Sequence, residues 1–410
     1  MGGAVRDALL GEPGLDWDLA TSATPPDVRR LFRRTVPHGI EFGTIGVLDK
    51  YGVMHEVTTF RRDVHTDGRH ALVEFGASLD EDLARRDFTI NAIAFDPLRK
   101  QLHDPYDGRG DLERRVIRAV GVADERMRED RLRALRAIRF ASRFGFAFDS
   151  ETWAAVADSA PYLARLSPER VKQEIEKTME QVAQPSQAFA KWRDADAFAT
   201  LVPSLANVSD TTLAALDRLA RPGLRGRPQR RALRLAALFA EADGRTAEAA
   251  LKALRFSNQD IAWIGSLVDR HARFANAFAD VVRSHAPALP PDSSLRRLAA
   301  SVGRTRTTSF VRLWAASCAA EADERTPITP ALVRALHRRL IVVAYRQAIE
   351  AADLAVDGDD LRSSGIPPGP FLGKLLSILL DLVIEQPALN ERNVLLERAR
   401  ALHAAHEADP

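Results

Sequence analysis

Two aspartates, Asp16 and Asp18, stand one residue apart in the run GLDWDLATSATP. On a β-strand, side chains two apart project to the same side, so both carboxylates would share one face. Carboxylates that close repel each other unless positive charge sits between them. The pair therefore reads either as an acidic loop or as a divalent metal site. Mg²⁺ is hard and takes oxygen ligands. Two such ions held by carboxylates can stabilise the attacking and leaving oxygens of a displacement at phosphorus. Twelve residues, Ala4 to Leu15, separate Gly3 of the Gly2–Gly3 pair from Asp16. Lacking side chains, the two glycines let backbone amides approach a phosphate closely. A glycine turn, a short helix and an Asp-x-Asp strand form the layout that nucleotidyl transfer needs. Glu56, in VMHEVTTF, is placed either as a third carboxylate from a neighbouring strand or as an edge-strand glutamate facing solvent.

The elements that must position these residues are legible in outline. GTIGVLDKYGVMHEVTTF reads as two strands around a turn at DKYG, with Val, Ile and Thr enriched. TPPDVRRLF reads as a short helix capped by Thr24, with prolines in its first turn. From about Asp124 the pattern turns helical: DERMREDRLRALRAIRFASRFGF has Leu132, Leu135, Ile138 and Phe140 near helical spacing. Asp130 and Arg133 are three apart, and Glu129 and Arg133 four apart, so on one helix all three would share a face as ordinary ion pairs. SPERVKQEIEKTME opens with Ser167 as N-cap and Pro168 at the first helical position, without the acid that a full capping box needs. Ala/Leu/Arg-rich helical segments then alternate with RPGLRGRP, HAPALPPD and SSGIPPGP. The terminal HAAHE reads as a frayed, solvated tail.

The chain has 410 residues, 46% hydrophobic and 28% charged, so it can bury sizeable cores and is not a disordered chain. Its net charge is only +2, but arginine greatly outnumbers lysine, which suits bidentate grip on phosphate. One cysteine, Cys318, excludes a disulfide framework or a cysteine-based zinc site within one chain. No apolar run is long enough to span a bilayer and no signal peptide opens the chain, which points to a cytoplasmic protein without a membrane partner.

GGAVRDALLG with DWDLATSATP, then HEVTTFRRDVHTDGRHA, DLARRDFTINAIAFDP, DPYDGRGDLE and REDRLRALRAIRFASRFGF follow one another in an order and spacing that resembles class II tRNA nucleotidyltransferases, the CCA-adding enzymes, and their bacterial poly(A) polymerase relatives. The resemblance is close over residues 2 to 180 and returns at DGDDLRSSGIPPGPFLGKLL. It implies an α+β protein: a nucleotidyltransferase-type α/β head over 1–120, then an all-helical neck over 121–190, body over 191–290 and tail over 291–410. It implies addition of CCA, or its terminal A, to tRNA 3′ ends from CTP and ATP with Mg²⁺, the tail binding the tRNA.

Carried over residue by residue, Asp16 and Asp18 would bind metal, with Glu56 as the third catalytic carboxylate. Gly2, Gly3 and Arg6 would lie against the triphosphate. Arg86, Asp87 and Asn91 would contact the ribose and phosphates, an Asp accepting from the 2′-hydroxyl selecting ribonucleotides. Asp130 and Arg133 would read the base. Cytosine and adenine each set an exocyclic amino group beside a bare ring nitrogen, which a carboxylate and a guanidinium match; guanine and uracil present the reverse pattern. Arg136 and Arg139 would add phosphate or base contacts, or be surface residues. RRDVHTDGRHALV would be a flexible loop that helps switch from C to A addition, and its full length disfavours a CC-only enzyme.

Family members have a helix and a strand before the Gly-Gly turn, so a chain opening at Met1 implies a head lacking its first strand and bearing an unpaired edge. Two rival readings remain: a poly(A) polymerase with the same head, and an RNA-binding protein that has lost turnover.

Overall fold

The computed structural model describes residues 1–12, 17–37, 39–66, 71–220, 228–321 and 328–408. Its contacts divide the chain into two compact units. One holds Met1–Val208 with Ala253–Phe256; the other holds Ser209–Ala220, Pro228–Lys252 and Ser257–Pro410.

The first unit opens with helix α1 (Gly3–Leu9), strand β1 (Leu19–Thr21) and helix α2 (Pro25–Leu31). Thr24 caps α2, its side chain and that of Asp27 reciprocally serving the first-turn amides, as the TPPD pattern implies. Strands β2 (Thr35–Val36), β3 (Thr44–Leu48) and β4 (Met54–Thr59) complete a four-stranded sheet in the order β1-β4-β3-β2. β1 runs parallel to β4, with Leu19 opposite Val57; β4 and β3 are the antiparallel hairpin expected around DKYG. One face of the sheet is dry: Val28 of α2 packs on Ile45, Val47 and Val57. Burying each such side chain contributes about 1.5–3 kcal/mol, which holds the sheet to its helix. The period-two alternation then leaves Thr44, Gly46, Met54, Glu56 and Thr58 on the opposite face.

Strands β5 (Arg61–Thr66) and β6 (Ala71–Phe75) pair antiparallel. RRDVHTDGRHALV is therefore a ladder on both flanks, not a loop throughout; its tip, 67–70, lies outside the described residues. Helix α3 (Leu79–Ala84), strands β7 (Ala94–Asp96) and β8 (Gln101–His103), helix α4 (Gly108–Arg114) and strand β9 (Val116–Ile117) follow. Then come helices α5 (Ala123–Glu129) and α6 (Leu132–Phe144), strand β10 (Ala147–Phe148), and helices α7 (Ser150–Asp158) and α8 (Pro168–Gln181). Ser167 is the N-cap residue of α8 and Pro168 its first residue, as the sequence implies. Beyond them Phe189, Trp192 and Phe198 stack into one buried aromatic cluster.

The second unit, as far as it is described, is built of helices. A 28-residue helix, Asn258–His285, sets Phe278 against Phe310 and Trp314 of the helix Thr307–Ala320. Leu361, Leu375, Leu379, Val383 and Leu395 form a separate apolar cluster. The HAAHE tail is not frayed at its start: it ends the helix Arg392–Ala408, and His406 stacks on Phe371 with ring centroids 4.0 Å apart. Among the described residues no helix is long and apolar enough to cross a membrane.

Candidate active site

The acidic row is set by sheet register. Asp18 and Glu56 each precede a paired residue of the parallel ladder, Leu19 and Val57, so they stand side by side on the face that α2 leaves open. Glu56 lies in β4, an interior strand flanked by β1 and β3, so the edge-strand reading is ruled out. Glu56 is half-buried and Asp18 exposed. Asp16 lies outside the described residues. Among the described residues no group of three or more His, Cys, Asp or Glu is gathered to hold an ion.

Beyond the β1 edge lies the glycine turn. The Met1 amino group donates to the Asp18 carbonyl (2.5 Å), and the Gly2 amide to the Ile93 carbonyl (2.9 Å). That amide is therefore engaged and not turned toward a phosphate. Gly2 is required for another reason. It adopts φ 68°, and a Cβ there would sit 2.2 Å from Arg86 Nη1. The missing side chain lets the half-buried Arg86 guanidinium lie against the turn, where it donates to the Asn91 carbonyl (3.1 Å).

Arg6 does not reach an open surface. It is buried, donates to Asn91 Oδ1 (2.5 Å) and Asp7 Oδ1 (2.7 Å), and lies over the rings of Phe140 and Phe144. From there it fixes Asn91. Asp87 is likewise enclosed. One oxygen accepts from the Phe88 amide and Asn91 Nδ2, both at 2.9 Å; the other accepts from Arg136 Nε at 2.8 Å and Nη2 at 2.7 Å. Four donors fill a carboxylate, leaving none of its sites for a ribose hydroxyl. Burial raises the Asp87 pKa, but the Arg136 charge and the Asn91 and Arg136 hydrogen bonds outweigh it and hold the pKa at about 2. Arg139 is not a surface residue, and Arg136 is half-buried. Arg136 is taken by Asp87, and Arg139 is buried against Glu174 (2.7 Å) and Gln181 (3.1 Å). Arg139 forms a buried ion pair beneath Phe140.

Asp130 and Arg133 do not share one helix. Asp130 is extended (φ −151°, ψ 105°) and ends α5; α6 starts two residues later. Asp130 caps the new helix, accepting from the Leu132 amide (3.0 Å), and pairs with Arg170 of α8 (2.6 Å). Arg133 pairs with Glu129 (2.6 Å) and donates to the carbonyls of Arg126 and Arg85, both at 2.9 Å. At the helix break Asp130 turns toward Arg170, while Arg133 is anchored to the segment that carries Arg86.

Sequence reasoning missed what holds the Thr89–Asn91 turn. Gly108 packs so tightly that a Cβ would sit 2.1 Å from the Thr89 carbonyl oxygen. Asp111 accepts from Thr89 Oγ1 (2.6 Å) and Arg118 Nε (2.8 Å). The glycines and acids of DPYDGRGDLE were the available signal.

Residues 1–118 match the family described as Poly A polymerase head domain, and 145–208 the one described as Probable RNA and SrmB-binding site of polymerase A. With the acidic sheet face, these define the class: a nucleotidyltransferase head followed by RNA-binding helices. A CCA-adding enzyme of Geobacillus kaustophilus is 35% identical over 412 residues, spanning 99% of this chain and 93% of that protein. One from Lactiplantibacillus plantarum is 50% identical over 181 residues, 44% of each chain. The crystal structure of the Bacillus stearothermophilus CCA-adding enzyme in complex with CTP superposes with a TM-score of 0.75 at 32% identity, covering 100% of this chain and 94% of that one. The Thermotoga maritima CCA-adding enzyme complexed with tRNA shares the fold, with a TM-score of 0.65 at 22% identity over 98% of this chain and 90% of that one. The chain belongs to the CCA-adding enzyme family and is a tRNA nucleotidyltransferase. Enzymes of this class generally use divalent metal ions.

Proposed function

We propose that the protein adds CCA, or its terminal A, to tRNA 3′ ends from CTP and ATP, without a nucleic-acid template, in the cytoplasm. The observation that carries this is the row Asp18–Glu56 on the open sheet face, with Arg86 at one edge, in a chain that aligns with CCA-adding enzymes along nearly its whole length. The 3′-oxygen of the RNA attacks the α-phosphorus, the bond to the bridging oxygen breaks, and pyrophosphate leaves as the hydroxyl proton departs.

The donor set suits Mg²⁺: Asp18 and Glu56 offer hard carboxylate oxygens from adjacent strands, and Asp16 would complete the set. When bound, the ion supplies positive charge to the attacking and leaving oxygens. Arg86 holds the triphosphate. Gly2 makes room for that guanidinium, and Arg6, Asp87, Asn91 and Arg136 keep the turn behind it rigid. Asp130 and Arg133 read the amino group and ring nitrogen of cytosine or adenine. Functionally the chain divides into a head (1–120), neck (121–190), body (191–290) and tail (291–410), the tail carrying the acceptor stem.

The test uses purified protein with Mg²⁺ and three tRNAs, ending before CCA, in C and in CC, each given CTP, ATP or both, with 3′ ends read by sequencing. Completed CCA on all three is the expected result. Addition of A to the CC end alone would restrict the activity to the last step. Long A tracts would replace the reading by poly(A) synthesis, and RNA binding without incorporation would overturn it.

A further inference from the structure

The attacking and leaving oxygens of a phosphoryl transfer lie roughly in line. With Arg86 holding the triphosphate as proposed above, pyrophosphate would leave on the side of Gly2 and Arg86, beyond the β1 edge. The RNA 3′-oxygen must then enter across the carboxylates from the opposite side, over β3 and β2. Register places that surface in the same row: Asp18 beside Glu56, Glu56 paired with Gly46, and Gly46 paired with Val36. Three strand spacings separate Asp18 from Val36, about 14 Å.

This end of the row is apolar: Val36 and Met54 stand exposed on either side of the buried Gly46. A Cβ on Gly46 would sit 2.9 Å from Met54 Sδ and 3.5 Å from Val36 Cβ, so the Met54 side chain lies over the glycine with Val36 beside it. Val36 is 37% and Met54 41% exposed. The rim is basic. Arg33 and Arg34 are exposed, with Arg34 donating to the Asp49 carbonyl (3.2 Å), and Lys50 lies over the Tyr51 ring at 4.8 Å. An apolar shelf beside two carboxylates, edged by arginine and lysine, is complementary to a nucleobase followed by phosphates.

We infer that Val36, Gly46 and Met54 form the shelf on which the 3′-terminal nucleoside of the RNA packs, and that Arg33, Arg34 and Lys50 hold the phosphates preceding it. This rests on the nucleotidyl-transfer reading above. It assigns the two edges of the sheet opposite tasks, incoming nucleotide at β1 and accepting strand at β2. Gly46, with no side chain, lets Met54 and Val36 close over the strand and form one apolar surface.

Two measurements test it on the full chain. With tRNA ending in CC and with ATP, Val36→Asn, Met54→Asn and Arg34→Glu should each raise the KM for RNA about tenfold or more while the KM for ATP stays within twofold. Unchanged RNA KM in all three, or a rise confined to ATP, overturns the shelf. Without nucleotide, tRNA carrying a 3′-terminal 4-thiouridine should photocrosslink to peptides containing Val36 or Met54; crosslinks only to the α5–α6 region overturn it. The crosslink needs no turnover, so failure of the wild type to incorporate nucleotide would count against the proposed reaction and leave the shelf to be judged separately. Retention of the wild type but not Arg34→Glu on phosphatidylglycerol vesicles, with RNA kinetics unchanged, would make the rim a membrane contact and refute the RNA assignment.

Discussion

Replacing Arg136 by Met should unlock the head more than any change at the exposed surface. Methionine keeps an apolar contact with Phe140, over which the guanidinium lies at 5.3 Å, and removes the charge. Asp87 is then left buried with two neutral donors, the Phe88 amide and Asn91 Nδ2. The fall of its pKa from 3.8 to about 2 corresponds to about 2.5 kcal/mol in favour of the folded, charged form. Removing one partner of a buried pair also leaves its desolvation uncompensated, so the loss at pH 7 should be about 3 kcal/mol. The sign of the pH dependence follows from the depressed pKa. The wild-type contribution is present above pH 3.8 and disappears as pH falls through about 2. The gap between wild type and Arg136→Met should therefore be full at neutral pH and close toward pH 2. Urea denaturation followed by tryptophan fluorescence, across that range, reads both quantities. Adding Asp87→Asn to Arg136→Met should restore most of the loss, because a neutral amide needs no counter-charge. A single variant within about 0.5 kcal/mol of wild type, or a double variant no more stable than the single, would refute the reasoning.

Asp18→Ala should lower incorporation at least a thousandfold and leave the dissociation constant for tRNA within about twofold; a gel-based extension assay and filter binding report the two. Gly108→Ala should cost about 3 kcal/mol in denaturant unfolding, since a methyl group 2.1 Å from the Thr89 carbonyl oxygen forces the turn apart. It should also raise the KM for both CTP and ATP through the displaced Asn91. His271, buried in the helical unit, has its pKa lowered from 6.5 to about 4 by burial, against a hydrogen bond to Ala240 that raises it. Its contribution to stability is complete above pH 6.5 and lost as pH falls to about 4, roughly 3 kcal/mol in all. His271→Gln should flatten the urea midpoint over that interval, and a midpoint that falls as steeply as in the wild type would exclude this histidine as the cause.

What could be read from sequence was local. Thr24 with Asp27 three residues on, the DKYG turn, and Ser167 followed by Pro168 each carry their geometry within a few residues, and each forms where expected. Glu56 could be placed on a strand but not inside the sheet, because strand order depends on pairings across the chain. The break at Asp130 was hidden by Leu132, Leu135 and Ile138, whose helical spacing runs on without a proline or glycine. Arg136 and Arg139 carried no local sign of burial: their partners, Asp87 and Glu174, lie 49 and 35 residues away. Arg6 and Asp87 belong to family motifs, yet the motif could not say which members face a ligand and which support their neighbours. Asp16 falls outside the described residues, so the first carboxylate rests on sequence alone.

The hydrogen bond from Arg133 to the Arg85 carbonyl has a kinetic meaning. The side chain proposed to read the base is tied to the peptide that precedes Arg86, the residue proposed to hold the triphosphate. On that proposal, a base that displaces Arg133 would pull on that peptide and shift the phosphorus relative to the carboxylate row. Misfit at the base is thereby converted into misalignment at the reaction centre. The discrimination against UTP should then be divided between affinity and turnover, with kcat falling alongside the rise in KM. A template made of two side chains would gain a second stage of selection without a second site.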